Sequence, residues 1–135
     1  MTINLPDIDK HWSIEYHDDI FSLNKLYEQG HWSKRKNLKD KYKKIFIKLL
    51  HDSDIEKCEK FYIVILYNTR HDVDNIVGVE KVFVDTMKGV LIPNDGKKNF
   101  RGLMIFPDET MAKGSLRIIV ARINGQESGM TIDLE

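Results

Sequence analysis

The chain has 135 residues, 41% of them hydrophobic and 31% charged, and its 21 lysines and arginines balance 21 aspartates and glutamates. That length suits one domain over 1–135, with a hydrophobic core that needs no metal or disulfide staple. No apolar run approaches the roughly 20 residues of a membrane span, the first residues lack the basic and apolar segments of a secretory signal, and the single Cys58 cannot form an intrachain disulfide, so a reducing, cytoplasmic setting without a membrane is expected.

In chain order, residues 12–21 mix apolar and polar side chains, with Trp12, Ile14 and Tyr16 on one alternation, and predict an early strand. Residues 22–33, with Gly30, Tyr27 and Trp32, read as a loop or short turn. The clearest helix is predicted over about 35–50, where Leu38, Tyr42, Ile45, Phe46 and Leu49 recur at helical spacing and form one apolar stripe. Lys36, Asp40, Lys43 and Lys44 fall on the far side. Residues 51–54 end that helix. Residues 61–67 form a continuous apolar run rich in aromatic and β-branched side chains, as a buried central strand requires. A second helix is predicted over about 76–88, with Val79, Val82, Phe83 and Thr86 facing inward and Gly89 placed to stop it. Pro93, Asn94, Asp95 and Gly96 signal a turn. Residues 103–106 and 116–123 read as two more strands, joined by a polar turn through Asp108 and Gly114. The order predicts an α+β domain, a small mixed sheet covered by two helices.

Zero net charge taken alone argues against a nucleic-acid partner. Its distribution says more. Between 31 and 48, Lys34, Arg35, Lys36, Lys39, Lys41, Lys43, Lys44 and Lys48 stand against only Asp40, a local charge of +7. Acids gather elsewhere, at Asp7, Asp9, Glu15, Asp18 and Asp19, and again at Asp72, Asp74, Glu80 and Asp85. A basic segment beside an acidic cluster is what a metal-dependent enzyme acting on a polyanion needs. The bland alternative for the basic helix is a solvated amphipathic face.

Asp72 and Asp74 lie two residues apart just after the predicted central strand. If the extended conformation continues through them, both carboxylates point to one face. Their hard oxygens at that spacing suit magnesium or manganese, with Asp95 in the later turn as a third carboxylate. A D-x-D pair is also common in exposed loops. An EF-hand is excluded, because Ile76 and Val77 stand where a ligand and the turn glycine belong. The phosphatase motif of the haloacid dehalogenase type fits poorly too, since Asn68, Thr69, Arg70 and His71 separate the apolar run from Asp72. His17, His31, His51 and His71 have no partner at metal-ligand spacing. Cys58 reads as an ordinary helix-end or loop residue.

The order Arg70-His71-Asp72-Val73-Asp74-Asn75, then Lys81 and Asp85, then Gly89-Val90-Leu91 and Asn94-Asp95 resembles the RusA family of Holliday junction resolvases. That family's signature runs R-x-D-x-D-N, a helix with a lysine and an aspartate four residues on, and a turn ending in aspartates. The specific match covers 70–95; a looser one reaches back through Arg35 and His31-Trp32 to Leu23. The resemblance implies a small homodimer that binds four-way DNA junctions and resolves them by paired, magnesium-dependent phosphodiester hydrolysis (manganese as a substitute), in recombination and repair, in a bacterial, phage or prophage setting. Carried over, Asp72, Asp74 and Asp95 become the metal carboxylates and Lys81 the essential lysine. From its charge, the basic helix, with Lys34, Arg35, Lys36 and Lys43, is expected to hold the flanking DNA backbone together with Arg70. A surface pair with Asp85 four residues on is the other reading of Lys81. The chain departs from the signature in carrying about three extra residues between Asn75 and Lys81, and in having Asn94 where the family has the first of two acids. Those departures suit the alternative of a junction-binding protein that keeps the fold with little or no activity.

Overall fold

The computed structural model describes residues 2–17, 32–123 and 130–133. The early strand is β2 (Ile8–His17), preceded by a short β1 (Thr2–Leu5). Residues 18–21 of the predicted strand, and 22–31 of the predicted loop, lie outside the described residues. The first helix, α1 (Trp32–Asp52), starts three residues before the predicted 35, so Trp32 and Ser33 belong to its first turn rather than to a loop. Its end falls as expected: the Ser53 hydroxyl donates to the Leu50 carbonyl at 2.7 Å, and Asp54 takes a left-handed φ of 58°.

Then come β3 (Lys60–Asn68), α2 (Val73–Met87), β4 (Phe100–Pro107), β5 (Ser115–Ile123) and β6 (Met130–Asp133). The main sheet has the order β2-β5-β3-β4. β2 and β3 each pair antiparallel with β5, while β3 and β4 run parallel. A parallel pair requires a crossover, and α2 supplies it, running back along the sheet from the end of β3 toward the start of β4. β1 and β6 form a separate antiparallel ribbon. The domain is therefore α+β with a small mixed sheet and two described helices. Neither is long and apolar enough to cross a membrane.

Both helices cover the same sheet face. Tyr42, Phe46 and Leu50 of α1 and Ile76, Val79, Phe83 and Met87 of α2 share one buried cluster with Ile63 and Ile65 of β3 and Leu116, Ile118 and Val120 of β5. Phe46 meets Phe83 edge to face, ring centres 5.4 Å apart, a favoured aromatic arrangement. The opposite face carries a second cluster, in which Val64, Leu66, Ile119 and Ala121 are covered by Ile3, Leu5 and Ile132 of the ribbon. β3 thus buries side chains on both faces, which is why it reads as an unbroken apolar run. At the far end of the sheet, Arg122 grips Asp9 through two hydrogen bonds of 3.0 and 2.6 Å. That fork geometry is available to arginine alone and ties the start of β2 to the end of β5.

Candidate functional site

α2 begins at Val73, three residues earlier than its apolar periodicity predicts, and this changes the geometry of the acidic pair. Asp72 is the N-cap, with extended φ and ψ of −75° and 161°, and Asp74 lies in the first helical turn. The extended run therefore stops at Asp72, and the two carboxylates do not share a strand face as expected. The cause is local: the Asp72 side chain makes no capping hydrogen bond, but the Asn75 amide donates to the Asp72 carbonyl at 3.0 Å and closes the first turn, and nothing in Val73-Asp74-Asn75 opposes a helix. Both side chains are exposed. Asp72 lies near the buried Tyr67, whose phenol is pushed up from its usual range by burial first and by the Asp72 charge second. Thr69 and His71 close the turn before the cap: the Thr69 hydroxyl lies 3.0 Å from His71 Nδ1 and accepts from the His71 amide at 3.3 Å. Arg70 is exposed beside them.

The other signature residues meet farther down the same helix. Lys81 and Asp85 line a cleft of about 380 Å³ together with Glu80, Val84, Asp95 and Phe100. Asp95 reaches it because Gly89, in a left-handed φ of 80°, ends α2 and turns the chain back. The Lys88 amide still bonds Val84, and the amides of Val90, Leu91 and Ile92 all donate to the Met87 carbonyl. Asp95 also pairs with Lys88 at 3.4 Å. The cleft's least expected member is Glu80. It is 5% exposed and has no hydrogen bond or ion pair among the described residues. Burial pushes its carboxyl up to about 7; Lys81 opposes that shift, and Asp85 and Asp95 add to it. Helical spacing from Ile76, Phe83 and Met87 puts an acid at position 80 on the buried face, so a charge interrupting an apolar stripe was the available signal.

Magnesium accepts hard carboxylate oxygens, and Asp72 and Asp74 offer them. They are not joined by Asp95. Among the described residues no three acids, histidines or cysteines come close enough to hold a metal ion. The reason is the crossover. Seven residues of helix advance about 10 Å, so Asp74 and the Lys81 cleft occupy different stretches of α2. Asp72 at the cap and Asp74 two residues on do not face each other, so the donor set fits an ion held by one carboxylate with water and substrate, not a three-carboxylate cage.

Of the expected DNA contacts, Arg70 and Lys36 are exposed and Lys43 is half-buried rather than on the far side of α1; the side chains of Lys34 and Arg35 lie outside the described residues. Lys39, Lys41, Lys44 and Lys48 are exposed along the same helix. Cys58 is buried in the loop before β3, and burial raises its thiol to about 11, which makes it a poor nucleophile. Set against known proteins, the chain matches no protein-family model and no curated protein.

Proposed function

We propose that the protein is a structure-selective endodeoxyribonuclease that acts as a homodimer on four-way DNA junctions and uses magnesium, with manganese as a substitute. One observation carries the reading. Lys81, Asp85 and Asp95, distant in sequence and singled out by the resolvase-like order of the chain, line a single cleft on α2. Asp72 and Asp74 stand on the same helix toward its start. The exposed lysines of α1 and Arg70 supply the positive surface that a phosphate backbone requires.

A magnesium ion commonly takes one or two protein carboxylates and completes its shell with water and substrate phosphate, and Asp72 would hold it in that way as its one protein carboxylate. Bound there, the ion would supply charge stabilisation at a phosphodiester oxygen and an activated water. The chain's own residues have simpler tasks. Arg70 and the α1 lysines bind the backbone flanking the cut, and the Lys81 ammonium, farther along α2, holds a neighbouring phosphate of the strand. Asp95 holds Lys88 at the mouth of the cleft.

The test is nicking of a synthetic four-way junction with and without magnesium, using wild-type protein and Asp72→Asn. Paired, magnesium-dependent nicks that vanish in the variant are expected. A folded dimer that binds the junction but never cuts it would remove the enzyme. That second reading, a silent junction-binding protein, is favoured by the separation of Asp95 from Asp72 and Asp74.

A further inference from the structure

A cleft at the opposite end of the sheet from Asp72 has a different chemistry. It encloses about 520 Å³ between the starts of β3 and β4 and the end of β5, a volume in the range of small-ligand sites. Lys60, Lys98 and Arg101 line it. Among the described residues none of these cations has a carboxylate within ion-pair distance. Arg101 is nonetheless held, because its Nη1 donates to the Lys97 carbonyl at 2.9 Å. The loop beneath it is fixed as well, by Asn99 Nδ2 donating to the Glu59 carbonyl at 2.7 Å.

Tyr62, partly buried against the cluster of Val64 and Leu66, also lines the cleft. A Cβ built on Gly102 would stand 3.0 Å from Tyr62 Cδ1 and 3.3 Å from Cε1. Glycine at this position of β4 therefore lets the ring approach the neighbouring strand closely, as a strand glycine often marks. The result is an aromatic residue beside three cations that form no ion pair among the described residues. The Asp7 and Glu59 carboxylates also line the cleft, so it combines hydrogen-bond acceptors with its positive charge.

We infer that this cleft binds a nucleotide unit of single-stranded DNA, with phosphate on Lys60, Lys98 and Arg101, the base against the Tyr62 ring, and the two carboxylates accepting from base amino groups. Cations that track a backbone beside an aromatic on which a base stacks are the recurring solution for unpaired strands. The choice of a strand over a free nucleotide rests on the nuclease reading. The segment from Asp95 to Arg101 connects this cleft to the one on α2, because Asp95 and Phe100 line the latter while Asn99 and Arg101 line the former. An unpaired strand leaving a branch point at α2 would have this cleft as its next positive surface.

The experiment measures binding of a fluorescein-labelled oligothymidylate by anisotropy in EDTA at low salt, so it does not depend on cleavage. Thymidine monophosphate serves as competitor. Wild type should bind the oligonucleotide with an affinity that falls as salt rises, and the monophosphate should compete weakly. The double variant Lys98→Ala with Arg101→Ala should weaken binding about tenfold or more, as loss of two phosphate contacts predicts. Tyr62→Leu should weaken it about fivefold or more and Tyr62→Phe should retain it, since stacking needs the ring and not the hydroxyl. Lys98 and Arg101 are exposed, so that variant keeps its fold, which thermal melts will verify. Unchanged binding in both the double variant and Tyr62→Leu would overturn the site. A monophosphate that competes as well as the oligonucleotide would overturn the strand assignment. Absence of magnesium-dependent junction nicking by the wild type, with oligonucleotide binding intact, would sink the nuclease reading alone.

Discussion

The start and the middle of α2 carry acids under opposite conditions. At its start Asp72 and Asp74 are exposed and cost the fold nothing. Farther along, Glu80 is buried without a hydrogen-bond partner, and its charged form opposes folding. An exposed acidic pair is compatible with many uses, including none. A largely buried carboxyl without a hydrogen-bond partner favours its neutral form, and such groups cluster where proteins do chemistry. The signature's acidic pair lies in the first region; the acid with the shifted titration lies in the second.

The largest expected effect separates them by activity. Asp72→Asn removes an exposed carboxylate that makes no side-chain capping hydrogen bond, so α2 stays intact and any loss is chemical. Nicking of a four-way junction should fall about 100-fold or more, the usual scale for removing a catalytic charge-stabilising group. If Asp95→Asn costs as much, the two regions act on one phosphate. If it costs little, the α2 cleft is a separate site.

Glu80→Gln probes the middle of α2 through stability. The folded-state pKa of Glu80 is raised to about 7 from its ordinary 4.5, so the native state binds its proton more tightly than the unfolded chain. Stability is then greatest below about pH 4.5 and falls as pH rises toward 7. The loss has an upper bound of about 3.4 kcal/mol, at 1.36 kcal/mol per pH unit, and is smaller to the extent that cleft water reaches the carboxyl. The glutamine variant should lack that slope and melt at higher temperature than wild type at pH 8. Parallel pH profiles for the two proteins would refute the buried charge.

Gly89→Ala should cost about 1 kcal/mol, because the left-handed φ of 80° at the helix end penalises any Cβ. Denaturant melts will measure it. Open space surrounds that position, so the cost is conformational and not steric. Lys88→Ala removes a pair to Asp95 whose side chains are 48% and 36% exposed. It should change stability by less than about 1 kcal/mol and fade with added salt. A larger, salt-resistant loss would mean the pair holds the cleft closed.

What was legible in the sequence follows from how each residue is used. β3 announced itself because Phe61 to Tyr67 are buried on both faces, nearly without interruption. The stripe of α1 and the stop at Gly89 were equally plain. β1 and β6 were not, because each has only four residues and gains its burial from the other. α2's first turn was hidden because Val73, Asp74 and Asn75 face solvent or the rim, so apolar periodicity begins only at Ile76. That missing turn turned an expected extended acidic pair into a cap and a helical residue. Glu80 was visible as one more acid in a cluster; only its phase relative to Ile76, Phe83 and Met87 distinguishes it from Asp85, which is exposed. Asp95 lines one cleft with Lys81 and forms no three-ligand group with Asp72 and Asp74 among the described residues, since a motif's spacing along the chain carries no account of the length of the helix between its parts.

The ribbon of β1 and β6 sets an order of events during synthesis. β1 is made long before its partner at Met130–Asp133, and until that strand emerges Ile3 and Leu5 lack the strand they pair with here. The helical side of the sheet can close earlier, as its contacts span shorter loops. The face bearing Val64, Leu66, Ile119 and Ala121 must then wait, open and sticky, for β6. Such late closure by distant segments slows folding and invites association, so a nascent or truncated chain should aggregate through this face before any other.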